Sequence, residues 1–295
     1  MDITLRQMRY AIALAEAGHF GRAADRSFVS QPALSQQVRQ LEAAAGQALF
    51  ERPTAALTPF GREFVERARR IIEDVDALAA FAAGQVGRPS KPLRFGLIPT
   101  VAPYLLPTMF PALSAALPDV AFAISENRTD ALLEALAEGG LDLALIATEP
   151  KPGGPKLAVA PLFNDDFVLA TPVSESRAGP VALAAVDTSR MLLLDEGHCL
   201  RDQALAACGL SADTTRTFAA TSLSTIVEFV ANGQGITLLP EIALKKETAG
   251  DRIQVRRLAA PGAGRMLSLV WREATPFADL FEEIAEIIRR SRAED

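Results

Sequence analysis

Residues 191–210 constrain the fold more than any other stretch of this 295-residue chain. Leu192, Leu193 and Leu194 form a short apolar run, and Asp195-Glu196-Gly197 follows, the pattern of a buried strand ending in a turn. From Cys199 the period changes. Leu200, Ala204 and Ala207 recur at helical spacing, and Gly209 supplies a stop. The expected unit is strand, turn and helix, with Cys199 opening the helix and Cys208 in its last turn.

These are the only two cysteines, and His198 is one of two histidines. A thiol at a helix N-terminus beside His198 and Arg201 is expected to sit in a positive field that favours the thiolate, the reactive form. Cys208 is expected among Leu205 and Leu210 as a small apolar residue. Nine residues of helix separate the two Cα atoms by about 13 Å, whereas a disulfide tolerates at most about 7 Å. The sulfurs can bond only if the helix unwinds. On spacing alone, two unrelated thiols in a reducing compartment remain the plainer reading. His198, Cys199 and Cys208 lack the usual spacing of zinc ligands, so no metal site and no cofactor is expected.

Apolar residues make up 49% and charged residues 22%, ordinary for a globular protein of about two domains. No signal peptide or membrane-spanning run is evident, and a cytoplasmic location is expected. Residues 1–70 carry ten arginines and no lysine against seven acids, +3, which leaves −9 for the remainder. That asymmetry suits a DNA-binding end on an acidic body.

Residues 2–17 read as a helix ended by Gly18, and a second runs from Phe20 to near Phe28. Ser30 is an N-cap for a third, with Pro32 in its first turn. Leu34, Val38, Leu41 and Ala45 share its inner face. Pro32, Ser35, Gln36 and Arg39 share the opposite one, a stripe of donors suited to a major groove. Over residues 58–83, Leu57, Phe64, Ile71 and Leu78 repeat every seven residues, with Gly61, Ala68, Val75 and Ala82 between them, a heptad seam. Residues 84–92 read as a flexible boundary. Beyond them strand and helix patterns alternate. The strands are expected at 93–98, 120–124, 141–147, 167–170, 192–194, 216–219, 236–239 and 267–271. Helices are expected at 103–116, 130–138 and 276–290.

Several runs resemble the LysR-type transcriptional regulators: Ala23-Ala24, residues 30–35 (Ser-Gln-Pro-Ala-Leu-Ser), Leu41-Glu42, residues 96–107, residues 220–223 and residues 235–240. Residues 197–204, Gly-His-Cys-Leu-Arg-Asp-Gln-Ala, with a second cysteine nine residues after the first, are similar to the peroxide-sensing branch of that family. The resemblance covers nearly the whole chain. The run between Arg52 and Leu57 departs from it, being shorter than the family's basic wing and uncharged.

The resemblance implies an all-α winged helix-turn-helix (1–57) and a linker and dimerisation helix with hinge (58–89). An α/β regulatory domain (90–295) then comprises two Rossmann-like subdomains of the periplasmic-binding-protein type. Subdomain I is expected at about 90–162 and 268–295, subdomain II at about 163–267. Ser30, Gln31, Pro32, Ser35, Gln36 and Arg39 would bind double-stranded promoter DNA. Cys199 would be the thiol oxidised by hydrogen peroxide and Cys208 the one that resolves it into a disulfide. Thr100, Thr129, His198, Asp202 and Arg265 would position peroxide and stabilise the thiolate, Arg265 being chosen over neighbouring Arg257 and Arg272. The implied partners are a second copy through the linker helix, a homotetramer, and RNA polymerase if the protein activates. Two other functions share parts of this pattern. A regulator binding a small metabolite between the subdomains lacks the cysteine motif, and a thiol peroxidase has no use for residues 1–83. The reading is of a regulator and not an enzyme.

Overall fold

The computed structural model describes residues 3–52, 54–82, 89, 91–150, 156–175, 179–209, 220–259 and 263–293. The chain divides into two compact units, Met1–Ser90 and Lys91–Asp295.

In the first unit, α1 (Leu5–Ala17) opens on a reciprocal cap. Thr4 accepts the Gln7 amide, and Gln7 accepts that of Thr4. α2 (Phe20–Arg26) and α3 (Gln31–Ala45) follow, and Ser30 caps α3 by accepting the Ala33 amide. Leu14, Leu34, Val38, Leu41 and Leu49 are fully buried between them, each contributing about 1.5–3 kcal/mol by burial. Ala45 is only half-buried. The short run before α4 (Pro59–Ala82) closes as a single antiparallel bridge, Phe50 to Leu57, with Ala55 at φ 57. α4 then passes so close to this turn that a Cβ on Gly61 would lie 2.0 Å from the Leu49 carbonyl oxygen.

The heptad on α4 divides in two. Gly61, Val65, Ala68 and Ile72 are buried, and Arg9–Asp76 (2.6 Å) and Glu16–Arg69 (2.7 Å) pair α1 with α4. Ile71 and Leu78 instead lie 42% and 65% exposed. Thus Gly61 and Ala68 of one expected seam row are spent inside the subunit, Leu57 and Phe64 of the other also pack against its core, and Ile71 and Leu78 stay outward. Most of the expected boundary at 84–92 lies outside the described residues.

The second unit is built on a sheet ordered β2-β1-β3-β7-β4-β5, with β6 on the other side of β4. β1 (Leu93–Leu97), α5 (Ala102–Ala116), β2 (Phe122–Glu126), α6 (Thr129–Ala137) and β3 (Leu143–Ile146) supply three parallel strands, with β1 between β2 and β3. β4 (Leu157–Pro172) is the longest strand, and the sequence pattern showed only its last third. After it come α7 (Cys199–Cys208), α8 (Leu223–Ala231), β5 (Thr237–Pro240) and α9 (Leu244–Glu247). β6 (Ile253–Arg257), β7 (Gly264–Arg272) and α10 (Ala278–Ala293) complete the chain.

The first half of β4 pairs with β7, and the second half lies between β5 and β6. One strand therefore belongs to two subdomains. Their cores are separate. Phe95, Leu143, Leu269 and Ile284 lie in the first, and Phe167, Leu193, Val230 and Leu239 in the second.

One expected strand is corrected and one strand was missed. Residues 192–194 form no strand. Met191 and Leu194 make isolated bridges to Ile236 and Ala220, so the run is extended and buried without a ladder. β6 escaped notice because its Gln and Arg residues break the apolar pattern of Ile253 and Val255. The strand expected at 216–219 lies outside the described residues.

Candidate functional site

α7 runs from Cys199 to Cys208, as the spacing requires, and Gly209 ends it at φ 62. Its N-cap, His198, makes no side-chain cap bond. Gly197 precedes it at φ 86, a conformation glycine adopts without strain. A Cβ at Gly197 would lie 2.7 Å from Arg128 Nη1, so the absent side chain lets the start of α7 approach the start of α6. Both cysteines are half-buried and free. Cys199 packs against the core of the first subdomain and Cys208 against that of the second.

Thr100, beyond the end of β1, is buried and receives Arg265 twice, Nη1 to its hydroxyl at 2.8 Å and Nη2 to its carbonyl at 3.0 Å. The third nitrogen, Nε, donates to Asp165 Oδ2 at 3.0 Å, with both side chains wholly buried. Thr129 opens α6. Its hydroxyl oxygen is buried without a hydrogen-bond partner of ordinary geometry among the described residues, yet it acts on the Cys199 thiol to lower its pKa. Gln203, one turn beyond Cys199, donates to the Ala147 carbonyl at 2.6 Å, and its own side-chain oxygen is buried without a partner among those residues.

The electrostatics correct the expected source of thiolate stabilisation. Burial pushes the Cys199 thiol up, opposed by the Arg265 charge, then by the Thr129 hydroxyl and the Leu200 amide. His198 is not the cation, because burial and the nearby Arg128 both push its imidazole down, towards the neutral form. Arg201 is turned inward, donating to the Leu194 carbonyl at 3.2 Å. Asp202 is exposed and its charge opposes the thiolate. Burial also pushes the Cys208 thiol up. Arg265 thus links Thr100 to Cys199, the Thr129 hydroxyl also acts on the thiol, Asp202 acts on it as an opposing charge, His198 precedes it as the N-cap, and Cys208 lies at the far end of α7. Arg128, Asp165 and Gln203 were missed. Only Gln203 had a readable signal, its i+4 spacing from Cys199.

The site brings together a thiol at a helix N-terminus, an amide, a guanidinium, the buried Thr129 hydroxyl and the Gln203 side-chain oxygen, which has no partner among the described residues. Such a set can hold a small molecule that both donates and accepts hydrogen bonds, and can stabilise an anion formed beside the sulfur. Among the described residues no group of three or more His, Cys, Asp or Glu is placed to hold a metal ion.

In the first unit Gln31, Pro32, Gln36 and Arg39 are exposed along α3, and Ser35 is half-buried. Ser30 is exposed but its hydroxyl is engaged as the cap. Phe28, in the turn between α2 and α3, is 95% exposed at φ 55.

Residues 5–62 match the bacterial regulatory helix-turn-helix proteins of the lysR family, and residues 87–293 match the LysR substrate binding domain. The chain belongs to the LysR family. Within this family it is 40% identical over 292 residues to a probable hydrogen peroxide-inducible genes activator of Mycobacterium avium, covering 97% of this chain and 93% of that one. A cysteine-to-aspartate mutant of full-length OxyR from Pseudomonas aeruginosa superposes with a TM-score of 0.84 at 35% identity, covering 98% of this chain and 95% of that one. A cysteine mutant of Corynebacterium glutamicum OxyR in its hydrogen-peroxide-bound form gives 0.67 at 33% identity, covering 100% and 94%.

Proposed function

We propose that this LysR-family protein is a peroxide-responsive transcription regulator switched by a reversible Cys199–Cys208 disulfide. The observation that carries the reading is the Cys199 thiol at the head of α7, acted on by the Thr129 hydroxyl and the charge of Arg265. Hydrogen peroxide is small, donates twice and accepts on both oxygens, which suits that set. The Cys199 thiolate attacks one oxygen, the O–O bond breaks, and hydroxide leaves and takes up a proton as water. The sulfenic acid formed is then attacked by the Cys208 thiol, which releases a second water and closes the disulfide. The disulfide then awaits reduction by an external dithiol, and what favours a sensor over a peroxidase is the helix-turn-helix of residues 5–62 on the same chain.

The double attachment of the cysteines supports a conformational readout. Bridging about 13 Å of helix down to at most about 7 Å must unwind α7, and each sulfur leaves a different subdomain core. Promoter DNA is the partner of the α3 face, through Gln31, Pro32, Ser35, Gln36 and Arg39. Ile71 and Leu78 form the seam for a second copy.

One experiment decides between this and a metabolite sensor: free thiols counted before and after stoichiometric peroxide. Two thiols should fall to none in the wild type, and Cys199→Ser should keep its remaining thiol. Because burial pushes the Cys199 thiol up, the rate should climb as pH rises through the neutral range towards that raised pKa. Two thiols surviving peroxide would sink the redox reading.

A further inference from the structure

Where the ladder of β4 and β7 ends, Asp165 and Arg265 are register partners as well as an ion pair. Asp165 is engaged on both oxygens, one by Arg265 Nε and the other by the Ile242 amide at 3.0 Å. Arg265 reaches the first subdomain through Thr100, and Asp165 reaches the turn after β5 through Ile242. The pair thus sits at the crossing of the two subdomains. The groups acting on Cys199 are Arg265, the Thr129 hydroxyl, the Leu200 amide and Asp202. Burial pushes the Asp165 carboxyl up, and Arg265, the Ile242 amide and Arg292 oppose that and favour the carboxylate. Arg265 is the one cation in the first set, and it carries a carboxylate beside it. A cation so paired presents a third group with the field of a dipole, weaker than that of a lone charge.

We propose that Asp165 is a positioning residue for Cys199 that acts through Arg265: it fixes the guanidinium and cancels part of its charge at the sulfur. The inference rests on Cys199 being the reacting thiol. Removing the carboxylate has two opposite effects, lost anchoring and lost cancellation. The second wins. The guanidinium keeps both bonds to Thr100 and has no solvent to turn towards, since its side chain is wholly buried. Asp165 is therefore a brake on the thiol.

The test is alkylation of Cys199 by iodoacetamide across pH, in the full-length protein with Cys208→Ser. Here the thiolate displaces iodide and forms a sulfur–carbon bond. Asp165→Asn should lower the midpoint and speed alkylation at pH 7 at least threefold, a full pKa unit being worth tenfold. The double variant Asp165→Asn, Arg265→Gln removes both charges of the buried pair, so neither is left unpaired as an obstacle to folding. It should slow alkylation two- to threefold relative to the parent. A folded Asp165→Asn protein with no faster alkylation overturns the proposal. So does a double variant slowed tenfold or more, which would mean that Arg265 acts as a lone cation. Because iodoacetamide reads thiol ionisation and not peroxide chemistry, a parent protein inert to peroxide fails the sensor reading by a separate measurement, while unchanged alkylation in Asp165→Asn fails this one.

Discussion

Helices α3 and α7 are both closed by a left-handed glycine, Gly46 at φ 74 and Gly209 at φ 62, but they are fastened very differently. α3 has 15 residues, a serine cap and three apolar side chains with no exposure at all. α7 has 10 residues, a cap residue that makes no side-chain bond, and a buried face that includes Arg201. α3 is built to keep its shape while its outer face meets a partner. α7 holds its shape at a smaller margin, which a switch between conformations separated by a few kcal/mol demands.

Core truncation should separate the two helices most. Leu34→Ala should cost the first unit about 2–5 kcal/mol and leave thiol chemistry untouched, read by denaturant unfolding followed in each unit. Leu205→Ala should act on the switch instead. A loss of about 2 kcal/mol in the reduced form makes the disulfide harder to reduce by about 40 mV. A shift of that size from Leu34→Ala would break the distinction between them. Next in size, Arg39→Ala should weaken specific DNA binding by about 1–3 kcal/mol if the side chain reads a base. If it touches phosphate, the loss should be equal on all sequences and the salt slope should shrink by about one. The smallest effect sharpens the comparison furthest. Ser30→Ala should cost about 1 kcal/mol through the lost cap, whereas His198→Ala removes no cap bond from α7. Equal losses at the two positions would mean that capping does not distinguish the helices.

Much of this was legible in the sequence because helices and their ends are local. Ser30, Gly18 and Gly209 fall where the pattern placed caps and stops, and both ends of α7 coincide with cysteines. Contacts made across a sheet were not legible. The cation expected next to Cys199 in sequence, Arg201, is turned away, and the one that acts is Arg265, brought in by β7. Asp165 left no trace in the pattern, because its partner stands opposite it only through strand register. The resemblance named Arg265 without supplying the residue that holds it.

The shared strand also dictates an order of events during synthesis. β4 leaves the ribosome with its first half unable to complete its ladder until β7 appears, since Phe163 faces Leu267 and Asn164 faces Met266. The second subdomain lies entirely between them, so its pairings close while the first is still missing a central strand and α10. The bond from Arg265 to Thr100 spans 165 residues, a loop whose closure comes late in any folding sequence. A nascent chain stalled before β7 would thus carry both cysteines on a formed α7 without the guanidinium that acts on the first of them. Sensing is acquired only with the last thirty or so residues, after the DNA-binding end has long been free to fold.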